Sequence, residues 1–167
     1  MLENNWLGSK TDGGFYKRIK DEKGKSTILS LDLKTLEYSP VKKVSFETVS
    51  EARKVTNVLD RFPILIEGKD KAGEFYRFNF GTMFSYIQNR IPEISDELYR
   101  IDDALRAGFG WENGPFQIWN SIGIKKGVDI MKSLGYEPAP WISEMIKNNI
   151  NNFYNIENGK INYYDLN

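Results

Sequence analysis

The sequence predicts a mainly α-helical fold with small β-hairpin elements at its N- and C-terminal ends. From Ser45 onward, apolar residues recur at the three- and four-residue spacings of amphipathic helices, separated by proline and glycine breaks. Before Ser45 and after about Asn149, turn residues and short alternating runs replace that pattern. We therefore divide the 167 residues into residues 1–45 and a helical body, residues 46–167.

The N-terminal 45 residues combine turn signals with a strand pattern. Asp12-Gly13-Gly14 is a turn signal because glycine adopts positive φ at little cost. A second polar turn, Asp21–Gly24, precedes the run Leu29–Leu33, in which leucine alternates with polar residues as in a half-buried strand. A short second strand within Thr35–Pro40 would complete a small hairpin, with the remaining residues in loops.

The first two helices of the body are indicated by capping residues. Thr48 and Glu51 have the spacing of a capping box, and the helix that they open should stop before Pro63. Asp70 is the expected N-cap of the next helix, which should reach about Arg90.

The helix from Lys71 to about Arg90 carries two apolar stripes. The first stripe contains Ala72, Tyr76, Phe80, Met83, Ile87 and Ile91. The second stripe, formed by Phe75, Phe78 and Tyr86, lies on another side of the helix. A helix that is apolar around so much of its circumference is expected in a core or at an interface.

Four further helices and a closing hairpin are predicted after Pro92. The first should end at Ala107-Gly108, and Pro115 should open the second at its first helical position. The tail after Asn149 should form the hairpin, with Glu157–Lys160 at its turn. The helices span about residues 94–107, 115–122, 124–134 and 141–148.

Two aromatic pairs near the ends of the chain resemble each other. Phe15-Tyr16 and Phe153-Tyr154 are each followed by a Gly-Lys pair and a strand-like run. If this similarity reflects a repeat, residues 1 to about 20 are the end of a unit whose body lies upstream. Chance similarity between short aromatic turns is the alternative.

Composition removes several classes of chemistry. Histidine and cysteine are absent, which excludes a Ser-His-Asp triad, a cysteine nucleophile, thiolate or imidazole metal sites and disulfides within this chain. The 23 basic and 23 acidic residues give zero formal charge, which argues against nucleic acid as the main partner. No apolar run approaches the roughly 18 residues of a membrane span, so membrane insertion is not expected.

The segment Gly108–Gly114 has the glycine spacing that begins a dinucleotide-binding loop. It follows a predicted helix rather than a strand, and Asn113 stands where the third glycine belongs. We interpret the segment as a tight corner between two helices, with Phe109 and Trp111 filling the core.

Asp102 and Asp103 look like a carboxylate pair but are neighbours on a helix. Their side chains should point about 100° apart, so they cannot share one proton or one substrate. We expect one of them to cap a helix or pair with Arg106 and the other to face solvent.

The run Ile101–Gly123 closely resembles the C-terminal domain of 3-hydroxyacyl-CoA dehydrogenases. It follows the pattern I-D-x-A-M/L-x-x-G-F-G-W/Y-x-x-G-P-F-x-x-W/L-D-x-I/V-G, with Asn120 in the place of the aspartate. The segment Trp6–Tyr16 resembles the ending G-x-K-T-G-x-G-F-Y of a preceding copy of that domain. Residues 28–40 and 70–73 resemble the linker and first long helix of long bacterial and archaeal members.

The resemblance implies a helical C-terminal domain of the 6-phosphogluconate-dehydrogenase-like type. Residues 1–45 would be the tail of a first copy plus a hairpin linker, and residues 46–167 would be the second copy. The family oxidises 3-hydroxyacyl-CoA to 3-ketoacyl-CoA with NAD in fatty-acid β-oxidation. Its NAD loop and His-Glu catalytic pair lie in an upstream Rossmann domain, so this chain alone should be inactive, with no catalytic, cofactor or metal site.

The same resemblance implies partners and a role. The expected partners are the upstream NAD-binding domain, an enoyl-CoA hydratase domain where one is fused, the acyl-CoA substrate and a second copy in a homodimer, in the cytoplasm. The residues expected to line the substrate cleft or to pack against other domains are Asp103, Phe109, Trp111, Asn113, Gly114, Pro115 and Phe116.

Two alternatives remain beside this interpretation. The chain could be a free-standing helical interaction or acyl-CoA-binding module without catalysis. A carbohydrate-binding face is disfavoured because the aromatic residues have the spacing of a helical core.

Overall fold

The structure is a computed structural model with two compact units, Met1–Val44 and Ser45–Asn167. Three of the predicted turns include Asp12, Asp21 or Gly159, which lie outside the described residues. The structure describes residues 1–11, 13–20, 22–158 and 160–165.

The N-terminal unit is a three-stranded antiparallel sheet in the order β1-β2-β3. Its strands are β1 (Tyr16–Lys20), β2 (Ser26–Leu31) and β3 (Tyr38–Pro40), and they follow a 3-10 turn at Ser9–Thr11. The predicted hairpin is confirmed as β2 and β3. Strand β1 was not predicted, because four of its five residues are exposed and it shows no alternation between apolar and polar positions.

The second unit is mainly helical, as predicted, and ends in an antiparallel hairpin. None of the helices in the described part of the chain is both long and apolar enough to cross a membrane. Its elements are α1 (Glu47–Arg53), α2 (Arg61–Glu67), α3 (Lys71–Gln88), α4 (Leu98–Phe109), α5 (Pro115–Ile122), α6 (Ile124–Ser133), α7 (Pro140–Lys147), β4 (Tyr154–Glu157) and β5 (Lys160–Tyr163).

Asp70 joins the beginnings of α1 and α3. As the predicted N-cap of α3, its carboxylate accepts a hydrogen bond from the Gly73 N–H at 3.0 Å. It also accepts one from the Thr48 N–H at 3.1 Å and one from the Thr48 hydroxyl at 2.8 Å. The predicted capping box between Thr48 and Glu51 is therefore wrong, because the Thr48 hydroxyl is used in a tertiary contact.

The predicted first helix is shorter in the structure, and a second helix that was not predicted, α2, follows it and contains Pro63. Helix α1 ends at Arg53, and Pro63 lies in the first turn of α2, where its missing N–H leaves no helical hydrogen bond unmade. Between the two helices the Asn57 side chain accepts a hydrogen bond from the Leu59 N–H at 3.1 Å. Such local bonds compete with helix continuation, which explains the break.

The two stripes of α3 have different surroundings. Residues of the first stripe lie in or against the core, whereas Phe75, Phe78 and Tyr86 are each about 60% exposed. The second stripe therefore contributes nothing to the core of this chain.

A group of fully buried aromatic rings occupies the centre of the helical unit. The Phe84 and Trp119 rings stack with centroids 4.5 Å apart, and the Phe153 ring packs edge-on against Trp119 at 5.1 Å. The Trp119 indole N–H donates to the Ile124 carbonyl at 3.2 Å. Helix α6 can lie this close because residue 127 is glycine: a Cβ atom there would be 2.0 Å from Trp119 Nε1.

We expect Gly127→Ala to lower the free energy of unfolding by about 1–3 kcal/mol, because the added methyl group overpacks the core against Trp119. Gly108→Ala is the matched control: its new Cβ atom meets nothing within 4 Å, and alanine should stabilise α4 by up to about 1 kcal/mol. Urea unfolding followed by tryptophan fluorescence measures both values. Equal stabilities for the two variants would contradict the close contact at Trp119.

Candidate functional site

The candidate residues lie at or near the corner between α4 and α5. Helix α4 ends at Phe109, two residues later than predicted, and Gly110 follows in the left-handed conformation with φ 66° and ψ 26°. Helix α5 begins at Pro115, as predicted. At the other end, α4 begins at Leu98, four residues later than predicted, so Ile94 precedes the helix and is 66% exposed.

Asp102 fastens α4 to the beginning of α5. Its buried carboxylate accepts hydrogen bonds from the Phe116 N–H at 2.7 Å and from the Gln117 N–H at 3.1 Å. These amides belong to the first turn of α5 and have no partner within the helix. A Cβ atom on Gly114 would lie 2.3 Å from Asp102 Cβ and Cγ, so the carboxylate occupies the space that glycine leaves.

The two neighbouring aspartates have different roles. Asp103 pairs with Arg106 at 3.4 Å on the exposed side of α4, which confirms the interaction predicted for one of the two acids. Asp102 is the acid that caps a helix, because its buried carboxylate accepts hydrogen bonds from the first turn of α5, and the expectation that the other acid faces solvent is confirmed for Asp103. Helical periodicity correctly predicts that the two side chains point in different directions. Asp102 is the buried one because the first turn of α5 packs against it.

Burial governs the electrostatics around Asp102. Removal from water raises the pKa of the Asp102 carboxyl to about 7, although the hydrogen bonds from Phe116 and Gln117 act in the opposite direction. Burial, followed by the negative charge of Asp102, also raises the pKa of the Tyr163 hydroxyl to about 12. The corner is thus fastened by a carboxyl group that changes its charge near neutral pH.

Phe109 and Trp111 lie on the outside of the corner. They are 74% and 41% exposed, so the prediction that they fill the core is wrong. Asp102, which binds the first turn of α5, lies two helical turns before the end of α4. Every residue from Arg106 to Trp111 is exposed. The last turn of α4 and the residues just after it therefore extend past the core, and they expose Phe109 and Trp111 to solvent.

The remaining candidates lie on the inner side of the corner. Gly114, Pro115 and Phe116 are buried, and Asn113 is half-buried. The Gln117 side chain accepts a hydrogen bond from the Gly114 N–H at 2.9 Å, which satisfies another amide at the beginning of α5. The structure thus brings all the candidates to one corner but separates supporting residues from exposed ones.

Asn120 has a role that sequence reasoning did not find. Its Oδ1 atom accepts a hydrogen bond from the Phe153 N–H at 2.8 Å and so holds the C-terminal segment against α5. An aspartate would also present an acceptor at this position, so the difference from the family pattern preserves this contact. The only sequence signal was the departure from that pattern.

A groove of about 560 Å³ lies between the beginning of α4 and the end of the chain, with Tyr99 and Tyr163 among its lining residues. In the parts of the chain that the structure describes, no three acidic side chains are grouped so that they could hold a metal ion.

Comparison with known proteins agrees with the motif at this corner. The chain is 36% identical over 165 residues, 99% of its length, to the protein named "Probable 3-hydroxyacyl-CoA dehydrogenase" of Bacillus subtilis (strain 168). The chain is a relative of 3-hydroxyacyl-CoA dehydrogenases. The resemblance predicted from Ile101–Gly123 is therefore confirmed.

The chain matches only part of these proteins. It covers 20% of the Bacillus protein, so it spans about a fifth of the length of that relative. It is also 28% identical over 133 residues to a "Putative fatty acid oxidation complex trifunctional enzyme" of Rickettsia prowazekii (strain Madrid E), covering 78% of this chain and 16% of that protein. No family model and no solved structure matches the chain.

We expect Asp102→Asn to change how stability depends on pH. The pKa of Asp102 in the folded chain is about 7, above the ordinary value of 3.8, so folding favours its protonated form. The free energy of unfolding of the unsubstituted chain should therefore fall as pH rises from about 4 to 8, by at most ~4 kcal/mol. Asp102→Asn removes the titrating group and should flatten this decrease.

Urea unfolding at several pH values between 4 and 8 measures the effect. Asp103→Asn is the control because Asp103 is exposed, and it should keep the slope of the unsubstituted chain. Identical slopes for Asp102→Asn and Asp103→Asn would show that Asp102 does not titrate in this range.

Proposed function

We propose that this chain is the helical C-terminal portion of an NAD-dependent 3-hydroxyacyl-CoA dehydrogenase, which oxidises 3-hydroxyacyl-CoA to 3-ketoacyl-CoA in fatty-acid β-oxidation. The observation that carries the proposal is the exposed pair Phe109 and Trp111, held outside the core on a firmly supported corner. Its fold would be of the 6-phosphogluconate-dehydrogenase-like type, and its location would be cytoplasmic. The relationship to the Bacillus protein supports the choice of reaction.

The chemistry would be divided between this chain and an upstream domain. The chain contains no histidine, so a histidine that accepts the substrate hydroxyl proton would lie elsewhere in the polypeptide, together with the NAD site. Phe109 and Trp111 would contact the acyl-CoA and exclude water from one wall of the cleft. Asp102 would act as a positioning residue, because it fixes the corner that presents these two side chains.

The proposal also covers domain organisation and partners. Residues 1–45 would be the end of a preceding helical domain with a hairpin linker, and residues 46–167 would be a complete domain of the same kind. The partners would be the upstream NAD-binding domain, a second copy of the chain and, in a trifunctional protein, an enoyl-CoA hydratase domain. The name of the Rickettsia prowazekii relative, a trifunctional enzyme, supports the presence of further domains.

In the full-length enzyme, we expect Phe109→Ala and Trp111→Ala each to raise KM for a 3-hydroxyacyl-CoA by roughly tenfold, because each removes apolar contact area worth about 1–2 kcal/mol. The kcat value should change little, since the groups that transfer hydride are elsewhere. Steady-state NADH formation measures both constants. Ile94→Ala, which removes an exposed apolar side chain outside the corner, should leave both unchanged; an unchanged KM in all three variants would refute the cleft role.

The isolated chain should not consume NADH when it is mixed with acetoacetyl-CoA, because it lacks the histidine and the nicotinamide domain. Absorbance at the NADH band measures this, and turnover by the purified chain would overturn the proposed division of chemistry. Calorimetric titration with a long-chain acyl-CoA tests the alternative function. Tight binding without NAD would favour a free-standing acyl-CoA-binding module.

A further inference from the structure

Phe153 anchors the C-terminal hairpin, β4 and β5, to the helical domain. Tyr154 and Tyr163 are paired across β4 and β5, and the Tyr164 N–H donates to the Phe153 carbonyl at 2.7 Å just beyond them. Phe153 therefore stands immediately before its hairpin, with its backbone fixed to the return strand. This arrangement directs its ring into the core.

The N-terminal sheet repeats this backbone arrangement. Tyr16 and Ser30 are paired across β1 and β2, and the Leu31 N–H donates to the Phe15 carbonyl at 2.9 Å just beyond them. Phe15 thus has the same position relative to its hairpin as Phe153. The match extends the similarity of the Phe-Tyr pairs from sequence to register and hydrogen bonding, which makes chance a poor explanation.

The side chains of these two phenylalanines have opposite environments. Phe153 is fully buried, with ring centroids 5.1 Å from Phe116, 5.1 Å from Trp119 and 6.1 Å from Trp141. Phe15 is 59% exposed. The chain contains one aromatic pocket of this kind among its described residues, and Phe153 occupies it.

The surface around Phe15 is concave and combines apolar side chains with the basic residues Lys17, Arg18 and Lys20. Tyr16 and Ile28 are 65% and 48% exposed, and with Phe15 they line a groove of about 810 Å³. A small sheet with this much exposed aromatic and aliphatic surface is typical of an interface.

Charge is also divided between the two parts of the chain. Residues 1–44 contain nine basic and six acidic residues, a formal charge of +3, whereas residues 45–167 contain 14 basic and 17 acidic residues, a formal charge of −3. A second helical domain of similar composition would therefore attract the N-terminal unit electrostatically.

We propose that Phe15 inserts into an aromatic pocket of another helical domain, built like residues 45–165 and lying upstream in the same polypeptide. The inference rests on the proposed domain organisation, and it adds the anchoring residue, the surface and the chemistry of the receiving site. Relatives about five times as long as the matched region have room for such a domain.

Photo-crosslinking of the full-length protein tests this contact. With p-benzoylphenylalanine at position 15, mass spectrometry should identify crosslinks to a peptide that precedes residue 1. The same probe at Leu33, which is 65% exposed in the same unit, should give at most a tenth of that yield. Crosslinks from position 15 to residues 45–165 or to a second copy, or a yield no higher than from position 33, would overturn the proposal.

Thermal unfolding of Phe15→Ala gives a second test that does not depend on the bulky probe. In the full-length protein this variant should lower the Tm of one helical-domain transition by roughly 10 °C, as expected for emptying an aromatic pocket. In the present chain it should shift Tm by less than about 2 °C, because Phe15 has no such pocket there. Equal shifts in the two proteins would contradict the docking. Neither readout uses dehydrogenase activity, so failure here leaves the proposed function intact.

Discussion

The hydrogen bonds from the first turn of α5 to Asp102 determine where the rest of the helical unit can lie. Burying a carboxylate is costly, but the unpaired amides of Phe116 and Gln117 satisfy its oxygens, and the positive end of the helix dipole lies beside them. Gly114 leaves the necessary space. The contact between Asp102 and the first turn of α5 thus fixes the orientation of α5 relative to α4 and the position along α4 at which the two helices meet.

The position of α5 then organises the core. Trp119 on this helix stacks on Phe84 of α3, packs edge-on against Phe153 of the tail and lies against Gly127 of α6. Asn120, the next residue, holds the Phe153 backbone. Elements distant in sequence therefore meet around two consecutive residues of one short helix, which explains why the tail can close over the domain.

Local signals in the sequence were sufficient for much of this architecture. Asp70, Pro115 and Gly123 mark helix boundaries that the structure confirms, because capping and proline preferences depend on neighbouring residues. Prediction failed where a distant partner decides the outcome. The Thr48 hydroxyl binds Asp70 rather than Glu51. Phe109 is exposed because α5 packs against α4 at Asp102, two helical turns before the end of α4.

The family motif itself separates into supporting and presenting residues. Asp102, Gly114, Trp119 and Asn120 hold α4, α5 and the tail together, and an oxygen acceptor at position 120 serves this purpose as amide or carboxylate. Within Ile101–Gly123, the large apolar side chains left in solvent belong to Phe109 and Trp111. A motif of this composition identifies the fold mainly through packing. Phe109 and Trp111 are therefore the large apolar residues of the motif that packing within this chain does not explain.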